Sequence, residues 1–159
     1  MHDLIPITPL WGTKPRIDNF DGVTIQEVTD LAHASLAPRR GQEDAARERS
    51  QAYLGLTLPG PGRHASGPKF SATWLEPGSW MIHAPLPAHE DLADVLKQSV
   101  GDSASVTEQS GGWCGFALQG PRCPDVLEKL AAVDLRSWEK GQAARLRLDG
   151  VAVGLLVRV

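Results

Sequence analysis

A chain of 159 residues has room for one domain or two small lobes and removes about two-thirds of its unfolded surface from water on folding. Hydrophobic residues at 42% and charged residues at 22% are globular proportions and exclude a wholly disordered chain. A formal net charge of -3 lacks the basic excess that displaces counterions from nucleic acid. No apolar run approaches the ~20 residues that cross a bilayer. The start, Met1-His-Asp-Leu-Ile-Pro-Ile7, has neither a basic lead nor an apolar secretory core, so the expectation is a cytoplasmic protein.

Pro6, Pro9 and Pro15, with Trp11 among them, predict an extended N-terminal arm over residues 1–20 rather than a helix. A domain follows over residues 21–159, with possible lobes at 21–69 plus 133–159 and at 70–132. Val23 to Val28 alternates as a strand with Val23 and Ile25 on one face. Gly41 to Leu54 predicts a helix: Glu43 and Asp44 open it, Arg47 stands four residues after Glu43, and Ala, Arg and Gln fill it. The alternating leucines Leu54, Leu56 and Leu58 predict a short strand. It runs into a Gly/Pro-rich loop ending at Gly67, the best candidate for a mobile or partner-touching segment.

Trp74 and Trp80 frame Glu-Pro-Gly-Ser, where Pro77 presets a corner and Gly78 accepts a positive φ. This predicts a hairpin of Phe70 to Leu75 with Ser79 to Ala84. From Pro87, Leu92, Val95, Leu96 and Val100 recur at helical spacing toward Lys97 and Gly101. Ala104 to Gln109 and Trp113 to Gln119 predict strands joined as a hairpin across Ser110-Gly111-Gly112. Gly120-Pro121 begins a helix whose buried face is Val126, Leu127, Leu130 and Ala131. Gln142 to Leu148 and Val151 to Val159 pair across Asp149-Gly150. The order predicts an α+β fold, a mostly antiparallel sheet with helices on one side. Its apolar last strand is an edge that a partner would cover.

Chemistry is sparse along the chain. His2, His33, His64, His83 and His89 are scattered, with no pair at i, i+4 spacing for a metal. His83, on the hairpin, reads as a packed or hydrogen-bonded imidazole rather than a general base, and His64, in the Gly/Pro loop, is better placed to touch a ligand or partner. Gly-x-Gly-x-x-Gly and Gly-x-Ser-x-Gly are both absent, and Pro61 removes an amide from Gly60-Pro61-Gly62. Cys114 and Cys123 read as reduced structural thiols. Asp102 and Asp134 read as a turn residue and a post-helix residue. No catalytic, cofactor-binding or metal-binding residue is therefore assigned. Trp74, Trp80 and Trp113 read as core, Trp11 and Trp138 as interface anchors, and Arg39, Arg40, Arg47 and Arg49 as a solvated face.

Several phrases recur together: Leu54-Gly-Leu-Thr-Leu-Pro59, then Ala72-Thr-Trp-Leu-Glu-Pro-Gly-Ser-Trp80. Gly120-Pro-Arg122 leads into Val126-Leu127, Val133-Asp134-Leu135 follows, and Gly141 precedes Ala144-Arg-Leu-Arg-Leu148. In order and spacing they resemble the gamma subunit of heterotetrameric sarcosine oxidase, from about Leu54 to Val159. The resemblance implies the two-lobed fold of the folate-binding domain of aminomethyltransferases, in a member that carries no cofactor of its own. FAD, FMN, NAD, zinc and tetrahydrofolate are then expected in partner alpha, beta and delta subunits. It implies a complex that oxidises the N-methyl group of sarcosine to give glycine and hydrogen peroxide and passes the one-carbon unit to tetrahydrofolate, with this chain as a non-catalytic assembly subunit. Family members usually continue past the last strand with another strand and a helix, so the sheet is expected to be completed by another subunit or left incomplete. Two other readings stand beside it. One is a stand-alone folate-binding protein or one-carbon (aminomethyl) transferase, motivated by shared fold alone; the other is an accessory subunit of an oxidase for another N-methyl amine.

Overall fold

A computed structural model describes residues 7–157. Residues 1–6 of the expected arm, His2 among them, and residues 158–159 of the expected last strand lie outside the described residues. The elements in chain order are β1 (Ile17–Phe20), β2 (Val23–Val28), β3 (Leu31–Pro38), α1 (Glu43–Leu54), β4 (His64–Ser66), β5 (Ser71–Glu76), β6 (Ser79–Pro85), α2 (Leu92–Val100), β7 (Ala104–Glu108), β8 (Gly115–Gln119), α3 (Cys123–Leu130), β9 (Ala143–Leu148) and β10 (Val151–Leu156). They form a five-stranded sheet β4-β5-β6-β3-β7, a three-stranded sheet β1-β2-β8 and a two-stranded sheet β9-β10. Every ladder is antiparallel. The class is α+β, as the sequence predicts.

The core grows from the β5–β6 hairpin, whose turn holds Gly78 at φ 74. Strand alternation sends Ala72, Trp80, Ile82 and Ala84 to one face of the sheet, where all are buried. β3 adds Ala32, Ala34 and Leu36 on the same face, opposite Ala84, Ile82 and Trp80. Leu92, Leu96 and Val100, at the helical spacing of α2, close over them together with Ala46 and Leu54 of α1. β3, like the short β1 and β4, has no strand predicted for it from sequence, although it is the inner strand between β6 and β7. Its buried residues are two alanines and a leucine, and alanine is depleted from strands, so propensity gives no signal where burial decides.

Four expectations are corrected. Leu54, Leu56 and Leu58 are all buried, but Leu54 ends α1 and no ladder includes residues 55–63. The leucines alternate because the segment inserts them into the core, not because it pairs. The loop after them is also anchored: the Trp80 indole N–H donates to the Pro59 carbonyl at 2.8 Å, and the His64 amide donates to the Gly141 carbonyl at 2.8 Å. Ser110-Gly111-Gly112 is a single 3-10 turn rather than a hairpin, for β7 pairs with β3 while β8 pairs with β2. In α3 only Leu127 is buried, and Val126 and Leu130 are 36% and 43% exposed.

The Asp149-Gly150 turn does close β9 on β10, with φ of 47 and 86 that suit a tight two-residue hairpin. The five-stranded sheet draws β3 and β4 from one of the two possible lobes and β5, β6 and β7 from the other. Among the described residues no helix is long and apolar enough to cross a membrane.

Trp80→Phe keeps most of the buried area but leaves the Pro59 carbonyl without its indole donor, which costs about 1–3 kcal/mol. A lowered urea midpoint at unchanged slope checks this. An unchanged midpoint would show that the Trp80–Pro59 bond does not hold the 55–63 segment.

Candidate functional site

The face of the five-stranded sheet turned away from α1 and α2 is polar. One residue out of phase with the core positions come His33 on β3, Thr73 and Ser71 on β5, and His83 on β6. His33 stands directly opposite His83, Ser71 opposite His83, and His64 on β4 opposite Thr73. Three histidines from separate segments therefore meet. His33 Nδ1 and His83 Nδ1 lie 2.8 Å apart. His83 Nε2 is 2.9 Å from Thr73 Oγ1, which is 2.9 Å from His64 Nδ1, and His64 Nε2 is 3.1 Å from Ser66 Oγ. Thr73 is buried at 8% exposure, while the imidazoles are half-buried.

This is a continuous chain of hydrogen bonds, Ser66–His64–Thr73–His83–His33. A neutral imidazole donates from one nitrogen and accepts at the other, and the Thr73 hydroxyl carries one proton. With all three rings neutral and the Thr73 proton donated within the row, two arrangements satisfy every link: all donors point from Ser66 toward His33, or all point back. The row can therefore pass a proton or register a charge at either end. Beyond His33, its amide donates to Ser110 Oγ at 2.9 Å and the Ser110 amide donates to the Glu108 carboxylate at 2.6 Å. Burial pushes the Glu108 carboxyl up, but the Ser110 and Gln109 hydrogen bonds and the His33 charge outweigh it and hold the group below its ordinary value.

At the Ser66 end the row opens into a cavity of about 650 Å³. His64, Ser66 and His83 line it on the sheet side, Phe70 supplies an apolar wall, and Lys69 and Lys140 come from the β4–β5 loop and the approach to β9. Among the described residues no group of three or more His, Cys, Asp or Glu side chains is placed to hold a metal ion. Cys114 and Cys123 are free thiols, and burial pushes the Cys123 thiol up, away from the reactive thiolate.

A second feature lies on the three-stranded sheet. Phe20 faces Val23, and Leu118 and Phe116 face Ile25 and Glu27, so one face carries five apolar residues and a carboxylate. Glu27 is only 2% exposed. The Leu10 amide donates to its Oε1 at 2.9 Å and the Arg16 amide to its Oε2 at 2.6 Å. Burial pushes the Glu27 carboxyl up, yet these two amides, the Thr8 hydroxyl and the Arg16 charge hold it below its ordinary value. Residues 8–16, within the expected arm, are thus clamped on β2, and residues 17–20 continue as β1. Around this clamp Trp11, Phe20 and Phe116 are 83%, 63% and 44% exposed.

Among the other singled-out residues, Trp80 is in the core and Trp74 packs against it, while Trp113 and Trp138 are both half-buried. Arg47 is not merely solvated, since its guanidinium lies 4.9 Å over the Trp80 ring. Arg49 donates to the Val100 carbonyl at 3.2 Å. His89 sits apart from the other three described histidines, with Nδ1 3.1 Å from the Pro85 carbonyl oxygen. The convergence of His33, His64 and His83 escapes a search for i, i+4 spacing because it arises from cross-strand register. Alternation on the Phe70–Ala84 hairpin was the one sequence signal that placed Thr73 and His83 on a common face.

No known protein family matches the sequence, and no curated protein does. The fold is similar to that of a chain of the heterotetrameric sarcosine oxidase from Corynebacterium sp. U-96, solved in complex with pyrrole 2-carboxylate. The TM-score is 0.73 at 26% sequence identity, over 84% of this chain and 69% of that chain. The two chains share a related fold.

Two variants test these arrangements. Glu27 titrates lower in the folded than in the unfolded chain, so it adds stability above the unfolded value and loses that contribution as the pH falls through the folded one. Glu27→Gln should lower the urea midpoint at pH 7 and narrow the gap between wild type and variant as the pH drops through roughly 5 to 3. A constant gap would refute the clamp. Thr73→Val should cost about 1–3 kcal/mol and separate the nitrogen-15 titration of His64 from that of His83; titrations that stay superimposed on wild type would show that the hydroxyl does not connect them.

Proposed function

We propose that this chain is a non-catalytic assembly subunit, of the gamma type, in a multi-subunit flavin-dependent sarcosine oxidase. The observation that carries the reading is the fold shared with a chain of such a heterotetramer, together with the phrases between Leu54 and Val159. On this reading the alpha, beta and delta partners hold FAD, FMN, NAD, zinc and tetrahydrofolate and carry out the oxidation of sarcosine in the cytoplasm. This chain contributes surface.

The exposed apolar residues support an interface. Trp11, Phe20 and Phe116 lie around the three-stranded sheet, and aromatic side chains of this kind are favoured anchors in protein interfaces. The Glu27 clamp fixes the backbone on which Leu10 and Trp11 are presented, which lowers the ordering cost of association.

Co-expression with the flavin-bearing subunits of its own source tests the proposal. The chain should co-purify at one copy per complex, and Phe20→Asp with Phe116→Asp should weaken its retention by about tenfold or more. A monodisperse monomer that never joins the flavoprotein would overturn it. Saturable uptake of tetrahydrofolate by the isolated chain would instead favour the stand-alone folate-binding reading.

A further inference from the structure

We propose that the cavity at the Ser66 end of the histidine row is a binding site for a small organic dianion, held between Lys69 and Lys140. The charge pattern carries this. The chain has 19 acidic and 16 basic residues, yet the cavity wall contains two lysines, two histidines and no Asp or Glu. Neither lysine forms an ion pair among the described residues. Two lysines lining an acid-free concavity create a positive potential that a neutral or cationic ligand would not use. The volume of about 650 Å³ falls within the range of roughly 300–1,000 Å³ usual for small-molecule sites.

The remaining walls set the ligand's form. Phe70 is 7% exposed and, with Leu31, Pro85 and Val157, offers an apolar side to a short carbon skeleton. Ser66 and Ser71, directly opposed in the β4–β5 ladder, provide hydroxyls on one wall, so an oxyanion there meets neutral donors within a lysine-bearing cavity. The shared chemistry is a doubly charged oxyanion on a small carbon frame.

Binding would also act on the histidine row. An anion accepting from the Ser66 hydroxyl selects the arrangement in which His64 Nε2 donates to Ser66 Oγ. The Thr73 hydroxyl then donates to His64 Nδ1, His83 Nε2 donates to Thr73, and His33 Nδ1 donates to His83 Nδ1. Occupancy at one edge of the sheet thereby sets the proton position at His33, beside the Glu108–Ser110 turn. The inference goes beyond the assembly role and is read on this chain alone, so it stands or falls independently of complex formation.

Equilibrium dialysis of the full-length chain against labelled succinate and, separately, labelled glycerol 3-phosphate tests it, with sodium chloride holding ionic strength constant. One site per chain should saturate with a dissociation constant of about 1 mM or tighter. It should weaken about tenfold or more in Lys69→Gln with Lys140→Gln, whose exposed side chains leave the fold unchanged by circular dichroism. Ser66→Asp, which sets a carboxylate at the mouth, should abolish it. Saturation by succinate alone assigns a dicarboxylate and by glycerol 3-phosphate alone a phosphomonoester. Failure of both to saturate below ~10 mM, or equal binding by the double lysine variant, overturns the proposal.

Discussion

The antiparallel register between β3 and β6 is the constraint on which the rest depends. It places Ala34 opposite Ile82 and Leu36 opposite Trp80 on the helix-covered face, and in the same stroke places His33 opposite His83 on the other. Because side chains alternate strictly, a slip of one residue would drive imidazoles into the core and alanines out of it. Core burial and the polar row are two outcomes of one pairing, and the apolar face supplies the energy that holds the polar face in order. The hydrogen bonds of the row are worth little singly, but a buried Thr73 hydroxyl makes misalignment costly.

Glu27 shows the same economy with the signs reversed. A carboxylate on the apolar side of β2 is unfavourable by itself, and two backbone amides and a hydroxyl make it tolerable. The donors come from residues 8–16, so the buried charge selects one docking of that segment. The geometry accounts for Trp11, whose φ of 66 is uncommon for a bulky residue. It sits in a turn closed by the Trp11 amide on the Thr8 carbonyl at 2.9 Å. The backbone that carries an exposed aromatic residue is thereby held by a concealed carboxylate.

Much of the fold was legible where local chemistry and global position agree. The Pro77-Gly78 and Asp149-Gly150 hairpins, the spacing of Leu92, Leu96 and Val100, and the alternation of Val23 to Val28 each predict the element that forms. Legibility fails where tertiary context overrides local preference. β3 is concealed by alanines, residues 55–62 present a strand's alternation without a partner strand, and Ser110-Gly111-Gly112 offers hairpin residues where the chain changes sheets. Leu130 reads as buried because it has the spacing, but it stays 43% exposed. The cavity was illegible for a related reason: Lys69 and Lys140 are seventy-one positions apart in the numbering, and their segments are brought to one cavity by the Arg63–Gln142 bridge and the His64–Gly141 hydrogen bond.

The inner position of β3 has a kinetic consequence. Its partners lie far along the chain: His33 reaches His83 across 50 residues and Ser110 across 77. Closing such loops before any ladder rewards them slows the search for the native topology. The β5–β6 hairpin, with its own turn and its own Trp74–Trp80 pairing, is the natural nucleus. In chain order β3 precedes that hairpin, so its ladder with β6 cannot form until the hairpin has been made. The alanines that hide β3 from a propensity scale also make it a poor template for aggregation through that interval.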